Sequence, residues 1–153
     1  MGALALSTLT ILVTAFAQER IAGLAKLVCD GVPIGVLGYA DDEAVAWCSI
    51  APRDRYEALI RSRTLPPIDE KPVWSVVCFF VDRHFRRQGV MLGLLNAAVD
   101  YARSMGAPVV EGYPVDPGST SYTYMGSPGT FRRAGFRDVT PAGQTRIVMR
   151  IQL

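Results

Sequence analysis

At 153 residues, 50% hydrophobic and 20% charged, the chain has enough apolar material for one domain with a sizeable core. Sixteen basic residues against fourteen acidic leave a formal charge of +2, too balanced to point to nucleic acid. The single histidine, His84, excludes a multi-histidine metal centre; Cys29, Cys48 and Cys78 have no metal-like spacing and read as reduced, mostly buried thiols of a cytoplasmic protein.

Gly2 to Ala17 is apolar and uncharged, and Ala15-Phe16-Ala17 mimics a signal-peptidase site. No Lys or Arg precedes the run, and it falls short of the ~20 residues that cross a bilayer, so no membrane role is expected. Leu9 to Phe16 reads instead as a first strand or the start of a helix. Gln18 to Cys29 has helical spacing in Ile21, Leu24, Ala25 and Val28, with Asp30-Gly31 as its stop. Ile34–Ala40 and Ala44–Ile50 flank Asp41-Asp42-Glu43 as a β-hairpin. Asp54 is the expected cap of a short helix with Tyr56, Leu59 and Ile60 turned inward. Thr64 to Pro72, with three prolines, is a loop.

Val73 to Val81, almost continuously β-branched and aromatic, predicts a strand buried on both faces. It passes through Asp82 to Phe85 into Arg86-Arg87-Gln88-Gly89-Val90 and then a helix with Leu92, Leu95, Ala98 or Val99, and Ala102 on one face. Gly106 and Pro108 end that helix. Val109 to Val115 forms a second strand parallel to the first, and Asp116 to Pro128 a long polar loop over one end of the sheet. Phe136–Thr140 and Arg146–Leu153 close the chain as two strands.

A strand that turns through a basic, glycine-containing loop into a helix N-terminus gathers unpaired N–H groups and the positive end of the helix dipole at one point. One glycine beside two arginines fits a solvated loop equally well; the order strand, basic loop, helix favours a phosphate ligand. Arg83, Arg86 and Arg87 are the basic cluster best placed for it; Arg53, Arg55, Arg61 and Arg63 read as a solvated face, and Arg132, Arg133 and Arg137 are open to either reading. His84 in the same loop reads as a surface or packing residue.

Arg86-Arg87-Gln88-Gly89-Val90-Met91 resembles the pyrophosphate loop of the GNAT superfamily of N-acetyltransferases, Gln/Arg-x-x-Gly-x-Gly/Ala after a central strand. Phe131-Arg132-Arg133-Ala134-Gly135-Phe136 is similar to that family's later helix-to-strand corner. The resemblance covers residues 18–153 and leaves 1–17 as a divergent or truncated segment. It implies a single α/β (α+β) domain, a central mixed sheet flanked by helices, and a transferase moving an acetyl group from acetyl-CoA to a primary amine, small molecule or peptide, by direct attack in a ternary complex without a metal. The alternative it leaves is a non-catalytic acyl-CoA-binding module for sensing or interaction.

The same resemblance lays the acetyl-CoA pyrophosphate on Gln88, Gly89, Val90, Met91 and Leu92, with Arg86 and Arg87 adding charge, and the pantetheine arm along Phe79, Phe80 and Val81. It also marks three departures: Met91 where relatives are small, Ser75 where some carry a glutamate base, and Phe131 where many carry a tyrosine acid. Glu111 is then the first candidate base, with a paired or outward-facing carboxylate as its other reading, and Asp116 the next. Tyr122 and Tyr124 are the candidate acids, ahead of Tyr113. Exposed edges of a small sheet allow a homodimer.

Overall fold

The computed structural model describes residues 10–12 and 35–153, with side chains for 35–153. Its described strands, β1 (Thr10–Leu12), β2 (Val36–Ala40), β3 (Glu43–Pro52), β4 (Trp74–Val81), β5 (Val109–Gly112), β6 (Arg137–Asp138) and β7 (Met149–Gln152), form one sheet in the order β1-β2-β3-β4-β5-β7-β6. Neighbours are antiparallel except β4 and β5, which are parallel. That single parallel pair makes the sheet mixed, as expected. The helices are α1 (Glu57–Ile60), α2 (Val90–Ser104) and α3 (Pro128–Arg133).

The β2–β3 hairpin turns at Asp41, whose φ of 53° is a left-handed conformation that Asp enters more readily than most residues with a Cβ. β4 is the centre of the fold and its register explains the site. Its pairing with β5 covers only Trp74↔Val110, Ser75↔Glu111 and Val76↔Gly112, whereas its pairing with β3 continues to Val81. The β3 register also slips between Ser49 and Ile50, leaving Val77 without a partner as a bulge. Beyond Val76, therefore, β4 has a free edge on the β5 side. The expectation of a strand buried on both faces fails at Phe80, which is 53% exposed, while its neighbour Phe79 points into the core.

α2 packs across β2, β3 and β4 with Val90, Leu94, Leu95, Ala98, Val99 and Ala102 buried. Recurrence at i, i+4 and i+8 sets this face; it takes Leu94 inward and leaves Leu92, expected in the core, beside the cleft described below. The main core joins this face to Val36, Cys48, Ile50, Val76, Phe79, Val110, Phe131 and Met149. A second cluster, Leu59, Leu65, Tyr113, Met125 and Val148, with Val77 against it, holds α1 and the proline-rich loop.

Three local expectations change. Asp54 lies inside a 3₁₀ turn, Arg53–Arg55, and α1 is instead preceded by Tyr56, whose side chain makes no capping bond. Ile60, expected inward, is 62% exposed because the helix is a single turn with one buried residue, Leu59. The last strands are shorter than predicted: β6 has two residues and β7 four, with Thr140 bonding across to Val148 in place of a longer ladder. The helix predicted over 18–29 lies outside the described residues.

Candidate active site

The free edge of β4, the loop after it and the first turn of α2 enclose a cleft of about 660 Å³. Phe79, Phe80 and Val81 form one side; Arg86, Arg87, Gly89, Val90, Met91 and Leu92 form the corner. Asp82 accepts from the His84 N–H at 2.9 Å and starts the turn. Gln88 Nε2 donates to the His84 carbonyl at 2.8 Å, and Arg86 Nε donates to the Val81 carbonyl at 3.0 Å. These bonds fold the loop back on the strand and bring Arg86 to the cleft wall. Gln88, expected at the ligand, spends its side-chain amide on this turn and is absent from the lining.

Gly89 is the N-cap of α2 with φ 80°, a left-handed conformation that glycine enters without strain, and a Cβ built there would point into open space. Arg87 holds φ 64°, uncommon for a residue with a Cβ. The N–H groups of the first helical turn have no acceptor within the helix, and the residues that carry them, Val90, Met91 and Leu92, line the cleft together with Arg86 and Arg87. This donor set fits a diphosphate. Met91 lines the cleft but also packs on the core, its sulfur 3.5 Å from where a Cβ on Gly126 would lie. The fit for a CoA arm is equally physical: unpaired β4 backbone beyond Val76 can bond an amide-containing chain as a strand would.

Of the far wall, the sequence points to Tyr124 and leaves Arg133 open, but does not point to Thr123 or Thr130. Thr123, Tyr124, Thr130 and Arg133 complete the lining, with Phe85 below. Ser127 caps α3 through the Thr130 N–H at 3.3 Å, and this places Thr130 and Arg133 on the cleft side. Tyr124, a candidate acid, lines the cleft and is 46% exposed. Tyr122 does not: its ring stands 6.1 Å from that of Tyr124 and faces a neighbouring pocket.

Glu111, the first candidate base, sits elsewhere. It is 1% exposed and off the cleft lining; Arg150 Nε donates to its Oε2 at 2.6 Å, and Arg53 Nη1 and the Tyr113 hydroxyl donate to its Oε1 at 3.1 and 2.6 Å. Both oxygens are engaged, which is the paired-carboxylate reading of this residue. Burial, then the charge of Glu111, pushes the Tyr113 phenol far above its usual range, so it stays protonated and bonds Ser75 at 2.9 Å. Ser75 is wholly buried. Phe131 is too, its ring lying against Gly112 and meeting Phe79 and Phe136 edge to face. Among the described residues no three His, Cys, Asp or Glu side chains come together as a metal site.

A mixed sheet with one parallel pair that parts at a basic loop and helix N-terminus is the architecture expected of the GNAT fold. The sequence profile of the Acetyltransferase (GNAT) family matches residues 10–117, more than half of the chain, and the protein belongs to that family. No curated protein matches it. Solved structures share the fold at low identity. A GNAT-family acetyltransferase from Listeria monocytogenes 4b F2365 is 12% identical with a TM-score of 0.60, over 87% of this chain and 71% of that one. The NatC complex bound to Gag peptide and CoA gives 8% and 0.57 over 88% and 80%. NAA60 of Arabidopsis thaliana, in complex with acetyl-CoA, gives 13% and 0.53 over 90% and 86%.

Proposed function

We propose that the protein transfers an acetyl group from acetyl-CoA to a primary amine by direct attack in a ternary complex. The observation that carries this is the parting of β4 from β5 beside the basic N-terminus of α2, which supplies a strand edge and a diphosphate site in one cleft. Bound there, acetyl-CoA would supply an activated thioester. The chain's own groups do the rest. Arg86, Arg87 and the α2 N–H groups hold the diphosphate; Phe79 to Val81 hold the arm; and a β4 N–H at or near Phe79 polarises the thioester carbonyl, leaning on the oxygen more strongly as charge develops.

An amine with a pKa of about 10.4 is almost wholly protonated at neutral pH, so it must shed one proton before it attacks. Glu111 is held by two arginines inside the sheet and is not the group we assign. Asp116, at the exposed end of the segment after β5, takes that place, directly or through water. As the N–C bond forms and the C–S bond breaks, the amine loses its second proton and the departing sulfur gains one. Tyr124 is the donor within the cleft. Tyr122 is assigned to the acceptor side.

The test is thiol release from acetyl-CoA against a panel of primary amines, in the parent and in Tyr124→Phe. Acceptor-dependent release that falls in the variant supports the reading. The second reading, a non-catalytic acyl-CoA-binding module, draws on Ser75 and Phe131, both sealed in the core where relatives carry acid and base groups. It is preferred if the parent binds CoA and releases no thiol with any amine.

A further inference from the structure

We infer that the acceptor is a small amine bearing its own carboxylate, an amino-acid-type substrate whose carboxylate sits on Arg146; this rests on the acetyl-transfer reading above. Beside the cleft lies a second pocket of about 160 Å³, lined by Val115, Asp116, Ser119, Tyr122, Thr145 and Arg146 among others. Arg146 is an unusual wall residue. Its Nε is buried without a hydrogen-bond partner among the described residues, and Nη2 donates to the sulfur of Met125 at 3.0 Å.

The Arg146 guanidinium lies 4.5 Å from the centre of the Tyr122 ring, which fixes its plane by cation–π attraction. A guanidinium held in this way, with no protein oxygen on its terminal N–H groups among the described residues, leaves its end-on fork to a carboxylate, which accepts in two parallel bonds. No ion pair among the described residues neutralises Arg146, so its charge is left for an anionic ligand.

Asp116 faces the same pocket, and none of the ion pairs among the described residues joins it to Arg146. Opposite charges on one small pocket, unpaired with each other, match a zwitterion: carboxylate on Arg146, ammonium toward Asp116. A phosphate dianion would be repelled by Asp116, so the carboxylate is the better anion. The position also suits transfer. Tyr122 belongs to this pocket and Tyr124 to the cofactor cleft, their rings 6.1 Å apart, so residues 122–124 form the shared wall. The reaction then balances as ammonium plus acetyl thioester giving N-acetyl amide, free thiol and one proton to solvent.

The experiment compares free α-amino acids with their α-carboxamides as acceptors, following thiol release, and measures CoA affinity by calorimetry alongside. One or more amino acids should react at least tenfold better in kcat/KM than the matching carboxamide. Arg146→Gln should raise their KM about ten- to a hundred-fold, the size of a lost charge-assisted contact, while CoA affinity stays as in the parent. Arg146→Lys, which keeps the charge but loses the fork, should fall between; melting curves confirm that both variants fold. The inference is overturned if carboxamides react as well as acids, if the KM of folded Arg146→Gln is unchanged, or if only amines without a carboxylate are acetylated. It is equally overturned if the CoA-loaded parent acetylates neither set. Failure to bind CoA would instead overturn the acetyl-transfer reading beneath it.

Discussion

Phe131 shows how one side chain can close off a chemistry. Its ring fills the space over Gly112, where an added Cβ would lie 2.1 Å from a ring carbon. Gly112→Ala should therefore cost about 1–3 kcal/mol of stability through overpacking, measured by urea unfolding. Phe131→Tyr would add a hydroxyl to a wholly buried ring that already fills the space over Gly112, costing about 1–3 kcal/mol through overpacking and bringing no gain in rate. Tyr124, by contrast, stands half exposed in the cleft. General acid assistance is typically worth 10²–10⁴-fold, so Tyr124→Phe should depress turnover by that order with CoA affinity preserved; equal turnover would remove it from the mechanism.

At the scale of elements, the β4-loop-α2 unit was legible because each signal in it is local: a continuous β-branched run, a glycine at the cap, helical spacing and a Gly–Pro stop. Glu111 was not. Its partners Arg53 and Arg150 lie 58 and 39 residues away in sequence, and only the sheet brings them together. The same network explains the missing cap at Asp54, since Arg53 is drawn inward to Glu111, Tyr113 and the Leu65 carbonyl. Removing the shared carboxylate leaves buried cations uncompensated, a loss typically of about 3–5 kcal/mol. Glu111→Gln should accordingly lower the melting temperature by roughly 2–4 °C per kcal/mol, with no selective effect on the pH profile of turnover.

Asp69 extends this network through Arg150 at 2.6 Å, and the bond to that guanidinium holds its carboxyl below the usual range. A carboxyl depressed on folding contributes stability above its unfolded pKa of about 3.9. That contribution is lost as pH falls through the lower, folded value. Asp69→Asn should therefore narrow the stability difference between neutral and acid pH, read from melting curves at pH 7 and near pH 3; an unchanged difference would remove the pair from the acid response.

For the whole molecule, the family and the mixed sheet were readable from two motifs in the right order, and Tyr124 from the loop that carries it, whereas Thr123 and Thr130 were not, because their place depends on how the 116–128 segment crosses the cleft. The pocket around Arg146 escaped for the same reason: residues 114–122 and 145–147 meet only in the folded sheet. No described helix is long and apolar enough to cross a membrane. A ligand that binds only the native state stabilises it by about 2.7 kcal/mol at a hundred times its Kd, so saturating CoA should raise the melting temperature by roughly 5–11 °C. A shift that is absent in Gly89→Val would tie the effect to the α2 corner.

The central claim is that CoA is held where β4 leaves β5 and α2 begins, and calorimetric titration of acetyl-CoA into the parent, Arg86→Ala and Gly89→Val tests it most directly. The account predicts one site in the parent and about ten- to a hundred-fold weaker binding in Arg86→Ala, the equivalent of one charge-assisted contact. Gly89→Val should weaken it at least as much, because a β-branched residue is strained at φ 80° and shifts the corner that carries the α2 N–H groups. No binding to the parent, or parental affinity in both folded variants, would contradict it.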